Sequence, residues 1–469
     1  MLRRIEYVLL TLGVFLLPFS VHQIHAQSRD QIEKAMLGQS IGSGARALGM
    51  GGAFIAVADD ATAASWNPAG LAILDRPEAS LVLAPVRRTK IDRSPYTYMY
   101  DEFSTGYFFL ENAGAWEVTQ SSSSVDFASL TYHFRLGSVK LVPQISYQRV
   151  TDLGFDFVDE YTSETSSGPE SWTAEYTNSG GIDVITLSLG VGLSAKTFLG
   201  LSLNRWSNGH EGSRSAAWTT YAGDSDRSGR WNESMSGTSF NIGSLFKPTP
   251  KLNVGLVFKS GFTMDYRRED EYASSNYATN VRDGEIKWPR SIGLGLAFMP
   301  NDTLTLSTDY TTSNWADATI DYTRTYGSTG QTSELTRFYP TFNDPDAAEE
   351  TGQPRQVNSS QMRFGVEHVV RDPKLLGLTV LPVRFGVFFD RQLSKDDQTL
   401  DPVTNTGLTA GFGLVWSRLS VDVAYVQMRG QAHVGDYVVN TSEYFVKGET
   451  ERPDKMRSHL LLTSVIVRF

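Results

Sequence analysis

About fourteen segments of this chain alternate apolar and polar side chains with a period of two, from residue 78 to the last residue. Val139, Leu141, Pro143, Ile145 and Tyr147 alternate with Lys140, Gln144, Ser146 and Gln148. Leu252, Val254, Leu256 and Phe258 alternate with Asn253, Gly255, Val257 and Lys259, and Val383, Phe385, Val387 and Phe389 with Arg384, Gly386, Phe388 and Asp390. Leu419, Val421, Val423 and Tyr425 alternate with Ser420, Asp422 and Ala424. Successive strand residues point to opposite faces, so each segment has one greasy and one polar face. Strands are expected at 78–87, 125–136, 138–149, 182–195, 197–207, 237–247, 251–265, 286–299, 303–315, 359–371, 378–391, 406–416, 418–429 and 457–469.

The connections alternate as well. Gly137-Ser138, Ala195-Lys196, Pro248-Thr249-Pro250, Pro300-Asn301-Asp302 and Ser417-Arg418 are tight turns, and 371–377 is a little longer. Between them lie long polar connections at 88–124, 150–181, 208–236, 266–285, 316–358, 392–405 and 430–456. A soluble β-sandwich also alternates, but it does not place every long loop on one side. Short turns on one side and long loops on the other, with an even strand number, describe an all-β transmembrane antiparallel barrel, residues 78–469. Its wet interior accommodates Asp309, Arg363, Glu367, Arg384 and Asp390 without burying lone charges in lipid.

The amino end reads as an export signal over residues 1–26: MLRR, a short apolar stretch, then cleavage after Ala26. The stretch is shorter than the roughly 20 residues of a spanning helix. There are no cysteines, so neither disulfides nor thiolate metal sites contribute. Glycine is abundant at 41 residues and aromatics reach 12%, which suits β structure with many turns. A net charge of −10 argues against a nucleic-acid partner. Residues 27–77 are small-residue-rich, and their position ahead of a barrel predicts a plug, or hatch, folded into its mouth.

That segment reads GGAFIAVADDATAASWNPAGLAILDRP from Gly51. Its GxxxAxADDAxxxxxNPA pattern resembles the hatch of FadL-type (OMPP1/TodX) outer-membrane transporters of long-chain fatty acids and aromatic hydrocarbons. PKLNVGLVFKSGF (250–262), WPRSIGLGLAFMPNDTLTLSTDY (288–310), VRFGVFFD (383–390) and GFGLVWSRLSVDVAYVQ (411–427) are similar to the family's strand-turn-strand blocks. The closing LLLTSVIVRF resembles the signal read by the outer-membrane barrel assembly machinery. The resemblance implies a passive outer-membrane transporter whose hydrophobic small-molecule ligand leaves sideways through a gap in the wall, among lipid and lipopolysaccharide. Barrels of the PorV type, which shuttle secreted proteins, carry a similar ARALGMGGAF-like run, and a protein-secretion role is the alternative.

Several residues are candidates for a functional site. Asn67, Pro68 and Ala69 are expected to hold a tight turn in the hatch. Asp59 and Asp60 either pair with arginines of the barrel wall or form a solvated turn. Pro143, mid-strand and unable to donate to a ladder, marks either the wall opening or a tolerated bulge. Tyr107, Phe108, Phe109, Leu110 and Trp116 make the first long loop greasy, for ligand capture or for contact with lipopolysaccharide and other loops. Trp206, Trp288, Trp315 and Trp416 lie near strand ends and are expected as a girdle at the lipid headgroups. No cofactor, metal or catalytic residue is expected: the histidines of the mature chain (His133, His210, His368, His433, His459) are scattered, Gly38-Gln39-Ser40-Ile41-Gly42 lacks the strand-and-helix setting of a nucleophile elbow, and Ser129 and His133 share the lumenal face.

Overall fold

A computed structural model describes residues 42–93, 96–101, 108–113, 116–165, 168–207, 209–220, 223–272, 279–327, 329–338, 357–395, 402–431 and 455–469. The expected export signal lies outside them. The first half of the wall comprises β1 (Glu78–Arg93), β2 (Tyr96–Asp101), β3 (Phe108–Ala113), β4 (Trp116–Thr131), β5 (Phe134–Leu136), β6 (Val139–Asp152), β7 (Phe155–Thr165), β8 (Gly168–Gly192), β9 (Thr197–Ser207), β10 (Gly209–Thr220) and β11 (Gly223–Thr249). The second half comprises β12 (Leu252–Lys259), β13 (Phe262–Tyr272), β14 (Asn280–Trp288), β15 (Ser291–Asn301), β16 (Leu304–Ser313), β17 (Thr319–Thr325), β18 (Thr332–Phe338), β19 (Ser359–Arg371), β20 (Val380–Lys395), β21 (Pro402–Val415), β22 (Leu419–Gln431) and β23 (Lys455–Arg468).

These strands assemble into 14 antiparallel staves, because several staves are built from two strands end to end. Stave seven is β12 continued by β13, stave eight β15 by β14, and stave nine β16 by β17. The barrel closes where β1 pairs with β23, from Glu78 opposite Arg468 to Asp92 opposite Lys455. The closing β1–β23 pairing leaves the circuit of staves without a free edge in the membrane band, as a membrane requires of a sheet.

The staves fall where the alternation places them. Within the described residues, strand pairing continues into the long connections. β7 with β8, β10 with β11, and β17 with β18 are ladders that carry the wall beyond the membrane band. Segments rich in Ser, Thr and Tyr keep pairing once started, since each new residue adds ladder bonds without needing an apolar face in water.

Outside, Leu130, Ile145, Leu187, Leu203, Phe385 and Leu408 are exposed around the circumference. So large an apolar belt is stable only against lipid. Inside, Ser188, Ser202, Asn204, Ser239, Asp309, Arg363, Glu367, Arg384 and Asp422 are buried. Residues 42–77 occupy this lumen as two short helices, α1 (Ala45–Gly49) and α2 (Ala63–Trp66), and a 3-10 helix over Pro68–Ile73. Apolar residues there, among them Met50, Phe54, Ala58 and Leu71, are essentially inaccessible.

Candidate lumenal site

The segment sits tightly because the wall facing it is stripped of side chains. A Cβ on Gly190 would lie 2.6 Å from the Ala72 nitrogen, one on Gly255 2.5 Å from the Ile55 carbonyl, and one on Gly365 2.5 Å from the Met50 carbonyl. Gly200, Gly243 and Gly386 are in still closer conflict with Pro68-Ala69, Asn67 and Gly51. Gly190 stands opposite Gly200, Gly255 opposite Gly295, and Gly365 opposite Gly386, so the glycines form a collar at one height. Beside the glycines, with Asp309 opposite Gly295 and Thr409 opposite Gly386, the wall supplies polar anchors. Asp309 accepts from the backbone N–H of Phe54 (2.7 Å) and Ile55 (2.8 Å). Gln144 Nε2 donates to the Ala61 carbonyl at 2.7 Å, and Thr409 Oγ1 to that of Gly49 at 2.9 Å. The irregular backbone groups of a buried coil are thereby satisfied.

Asn67, Pro68 and Ala69 form one element. Asn67 is fully buried and its Oδ1 accepts from Ala69 N (3.1 Å), capping the 3-10 helix that Pro68 begins. Its Nδ2 donates to the Ile55 carbonyl (2.9 Å) and to the Ser244 carbonyl of the wall (3.0 Å). Among the described residues, Asp59 and Asp60 meet no wall arginine. Both pair with Arg46 of the lumenal segment itself, Asp60 at 3.6 Å, and Asp60 also accepts from Thr62 N (2.8 Å) and Oγ1 (2.6 Å). The link to the wall runs in the opposite sense: Arg46 donates from Nε (3.0 Å) and Nη2 (3.1 Å) to wall Glu367, which also accepts from Arg384 Nε (2.6 Å). Arg384 Nη1 in turn donates to Asp422 at 2.6 Å. Burial pulls the Arg46 guanidinium down, but the carboxylates of Asp59, Glu367 and Asp60 outweigh it and hold it well above its usual value. Neither sequence pattern nor spacing signals this network, in which Arg46 lies 321 residues from Glu367.

Above the lumenal segment, on the side of the long connections, lies a cavity of about 120 Å³. Ala64 and Ser65 form its floor, and Asn204, Ser239, Lys259 and Gln361 belong to its wall. Trp206, Phe262, Trp288 and Trp315 supply aromatic surface. Ring centroids are 5.1 Å apart for Trp206–Phe262, 5.5 Å for Trp206–Trp288 and 5.1 Å for Trp288–Trp315. Trp206 is fixed by donating Nε1–H to Ser239 Oγ at 2.8 Å. These three tryptophans therefore do not form a lipid girdle. They face inward and pack on Met264, Ile286 and Ile320. Height along a strand placed them at a rim, but facing decides which side of the wall they occupy. For Trp206 the signal was present, since it shares its parity with lumenal Ser202 and Asn204. Trp416 lies near the turn side, half-exposed, with Nε1 donating to the Leu376 carbonyl.

Pro143 faces outward on β6, and the in-out alternation runs past it without a change of phase. Pairing with β8 is continuous there, Pro143 opposite Leu189. On its other side the ladder is thinner: β4 stops at Thr131, β5 starts at Phe134, and Tyr132 N donates to the Pro143 carbonyl at 3.1 Å. Of the loop residues, Tyr107 lies outside the described residues. Phe108, Phe109 and Leu110 lie on β3, paired with Asp101, Tyr100 and Met99, and Trp116 begins β4 opposite Arg93. Among the described residues no group of His, Asp and Glu could hold a metal ion.

Comparison with known proteins agrees with this architecture. The profile of the outer membrane protein transport protein family (OMPP1/FadL/TodX) matches residues 35–334. A FadL homologue of Pseudomonas aeruginosa superposes with a TM-score of 0.56 at 14% identity, over 91% of this chain and 98% of the other. The monoaromatic hydrocarbon channel CymD gives 0.50 at 15% identity, over 92% and 98%. The toluene transporter TbuX of Ralstonia pickettii gives 0.50 at 13% identity, over 92% and 99%. At such identities the likeness is one of fold. No curated protein matches the sequence. The profile, spanning well over half of a 14-stave barrel, places this chain in the OMPP1/FadL/TodX family of outer-membrane transport proteins.

Proposed function

We propose that the protein is a passive transporter of small hydrophobic molecules, with residues 42–77 acting as a plug and the ligand leaving sideways through the wall rather than through the plug. The observation that carries this reading is the aromatic cavity directly above the lumenal segment. Clustered tryptophans in tilted and edge-on contact offer apolar area with fixed geometry, and apolar solutes gain by leaving water for such a surface. The glycine collar and the polar anchors argue against movement of the plug, which favours a lateral route.

Cavity size narrows the ligand. At about 120 Å³ it is close to the ~150 Å³ apolar void known to take benzene, and well below the ~300 Å³ at which drug-sized pockets begin. A single-ring aromatic fits within it, whereas an extended acyl chain would have to reach beyond it. A secretion shuttle has no use for an internal aromatic cavity, and no observation favours that role. Cells lacking their own transporter should accumulate labelled toluene faster when they carry this chain, and gain less for labelled oleate. Gain for neither would refute the transport reading; a gain for oleate alone would refute the size limit.

A further inference from the structure

Three adjacent staves break at one level. β12 ends at Lys259 and β13 begins at Phe262; β14 ends at Trp288 and β15 begins at Ser291; β16 ends at Ser313 and a 3-10 turn over Trp315–Asp317 precedes β17. Among the described residues, no backbone hydrogen bond joins Ser260-Gly261 to the facing Pro289-Arg290. Pro289 has no N–H to give. Ser260 turns instead to β11, donating its N–H to the Phe240 carbonyl (2.9 Å) and accepting from Phe240 N with its Oγ (3.0 Å).

The break reverses the wall. Pairing with β11 slips by one residue, from Asn241 opposite Lys259 to Gly237 opposite Met264, and an inserted residue sends later side chains to the other face. Below the break the apolar residues look outward: Leu256 is 48% exposed, with Ile292 and Leu294 similar. Above it they look inward: Met264 and Ile286 are 0% exposed, and Trp288 and Ile320 are buried. The outer face above the break is charged, with Arg267 bonded to Asp283 and Lys287 to Asp321, both at 2.8 Å. The break therefore marks the height at which the wall leaves lipid for water. One apolar stripe is threaded through it, inside above and outside below. Lumenal cavity and outer recess meet there: Ser260, Trp288 and Pro289 line both, and Phe240, Phe258 and Gly261 line the recess.

We propose that the seam between Ser260-Gly261 and Pro289-Arg290 is the lateral portal, through which a single-ring aromatic passes from the Trp206–Phe262–Trp288–Trp315 cluster to the lipid-facing Phe240–Phe258 surface. This rests on the transport reading and replaces Pro143, where the alternation keeps its phase, as the site of exit. The ligand stays on apolar surface throughout. The rings of Phe262 and Trp288, 6.2 Å apart, are the gate.

The chain has no cysteine, so the seam can be sutured cleanly. A Cβ on Gly261 would stand 3.7 Å from that of Arg290, within the 3.5–4.5 Å a disulfide spans. In the G261C/R290C variant, toluene uptake should fall on oxidation to the level of cells without the chain, and return on reduction. Because the two states share one folded protein, misfolding cannot imitate the result. If the fully cross-linked protein takes up toluene as fast as the reduced one, the portal lies elsewhere and the transport reading stands. If the unmodified chain gives no toluene uptake, the portal and the transport reading both fall.

Discussion

Gly200→Leu is expected to turn a closed barrel into an ion-conducting one. Gly200 faces the lumen on β9, and any side chain there overlaps the backbone of Pro68 and Ala69. Those atoms belong to the 3-10 helix capped by Asn67, which has no slack to give. Overpacking of this kind costs about 1–3 kcal/mol, more when backbone must move. The wall is held by ladders around a closed circuit, whereas the lumenal segment is held by discrete anchors, so the segment is the part that yields. The variant should assemble as a barrel, show raised single-channel conductance in planar bilayers, and unfold at lower temperature. Gly137→Leu, at a turn with open space around it, is the comparison for glycine loss without contact to residues 42–77. A folded Gly200→Leu barrel with unchanged conductance would contradict the seating of Pro68-Ala69 against the wall.

Arg384→Met should lower stability further than Gly200→Leu does. Arg384 is among the largest fully buried side chains, standing between Glu367 and Asp422 at 2.6 Å from each. Glu367 retains Arg46 when Arg384 is lost, but Asp422 is left facing a thioether-bearing chain with no charge to meet it. Removing one partner of a buried pair costs about 3–5 kcal/mol, most of it the uncompensated remaining charge. The double variant R384M/D422N should therefore recover a substantial part of the loss, because it withdraws the stranded carboxylate. Thermal unfolding, followed as loss of the compact band in unheated detergent gels, reads both. An Arg384→Met protein as heat-resistant as the parent would mean that the lumenal network is well hydrated and that a lone Asp422 carboxylate is tolerated there.

The staves were legible because membrane barrels write their facing into every second residue. Leu252 to Phe258 and Val383 to Phe389 announce a lipid face whatever surrounds them. The asymmetry of connections then fixed the topology. What the pattern concealed is the reversal at the seam. Apolar residues occupy even positions from Leu252 through Phe258 to Phe262, Met264 and Tyr266, and again from Ile286 and Trp288 to Ile292 and Leu296. The alternation stays in phase, and the bulge alone exchanges inside for outside. Sequence periodicity reports which residues share a face locally, not which face it is. Gly261 and Pro289 were the only local hints.

The site was legible unevenly. Asn67-Pro68-Ala69 stood out because a side-chain cap and a fixed φ have a compact local signature. The glycine collar left a trace in blocks such as GLGLAF and RFGVFF, where glycine takes inward positions inside strands instead of turns. The Arg46–Glu367–Arg384–Asp422 network left none: Glu367 and Arg384 meet through the register of β19 on β20, and Arg46 reaches Glu367 only once residues 42–77 lie in the lumen.

Transport, the size limit and the portal all require that a small aromatic molecule lodge in the tryptophan-lined cavity above residues 42–77. Crystals of the protein soaked with 4-bromotoluene test this directly through the anomalous signal of bromine. The predicted result is a bromine site among Trp206, Phe262, Trp288 and Trp315. Bromine found only among the outer loops or in the detergent belt, with the cavity empty at saturating ligand, would contradict it.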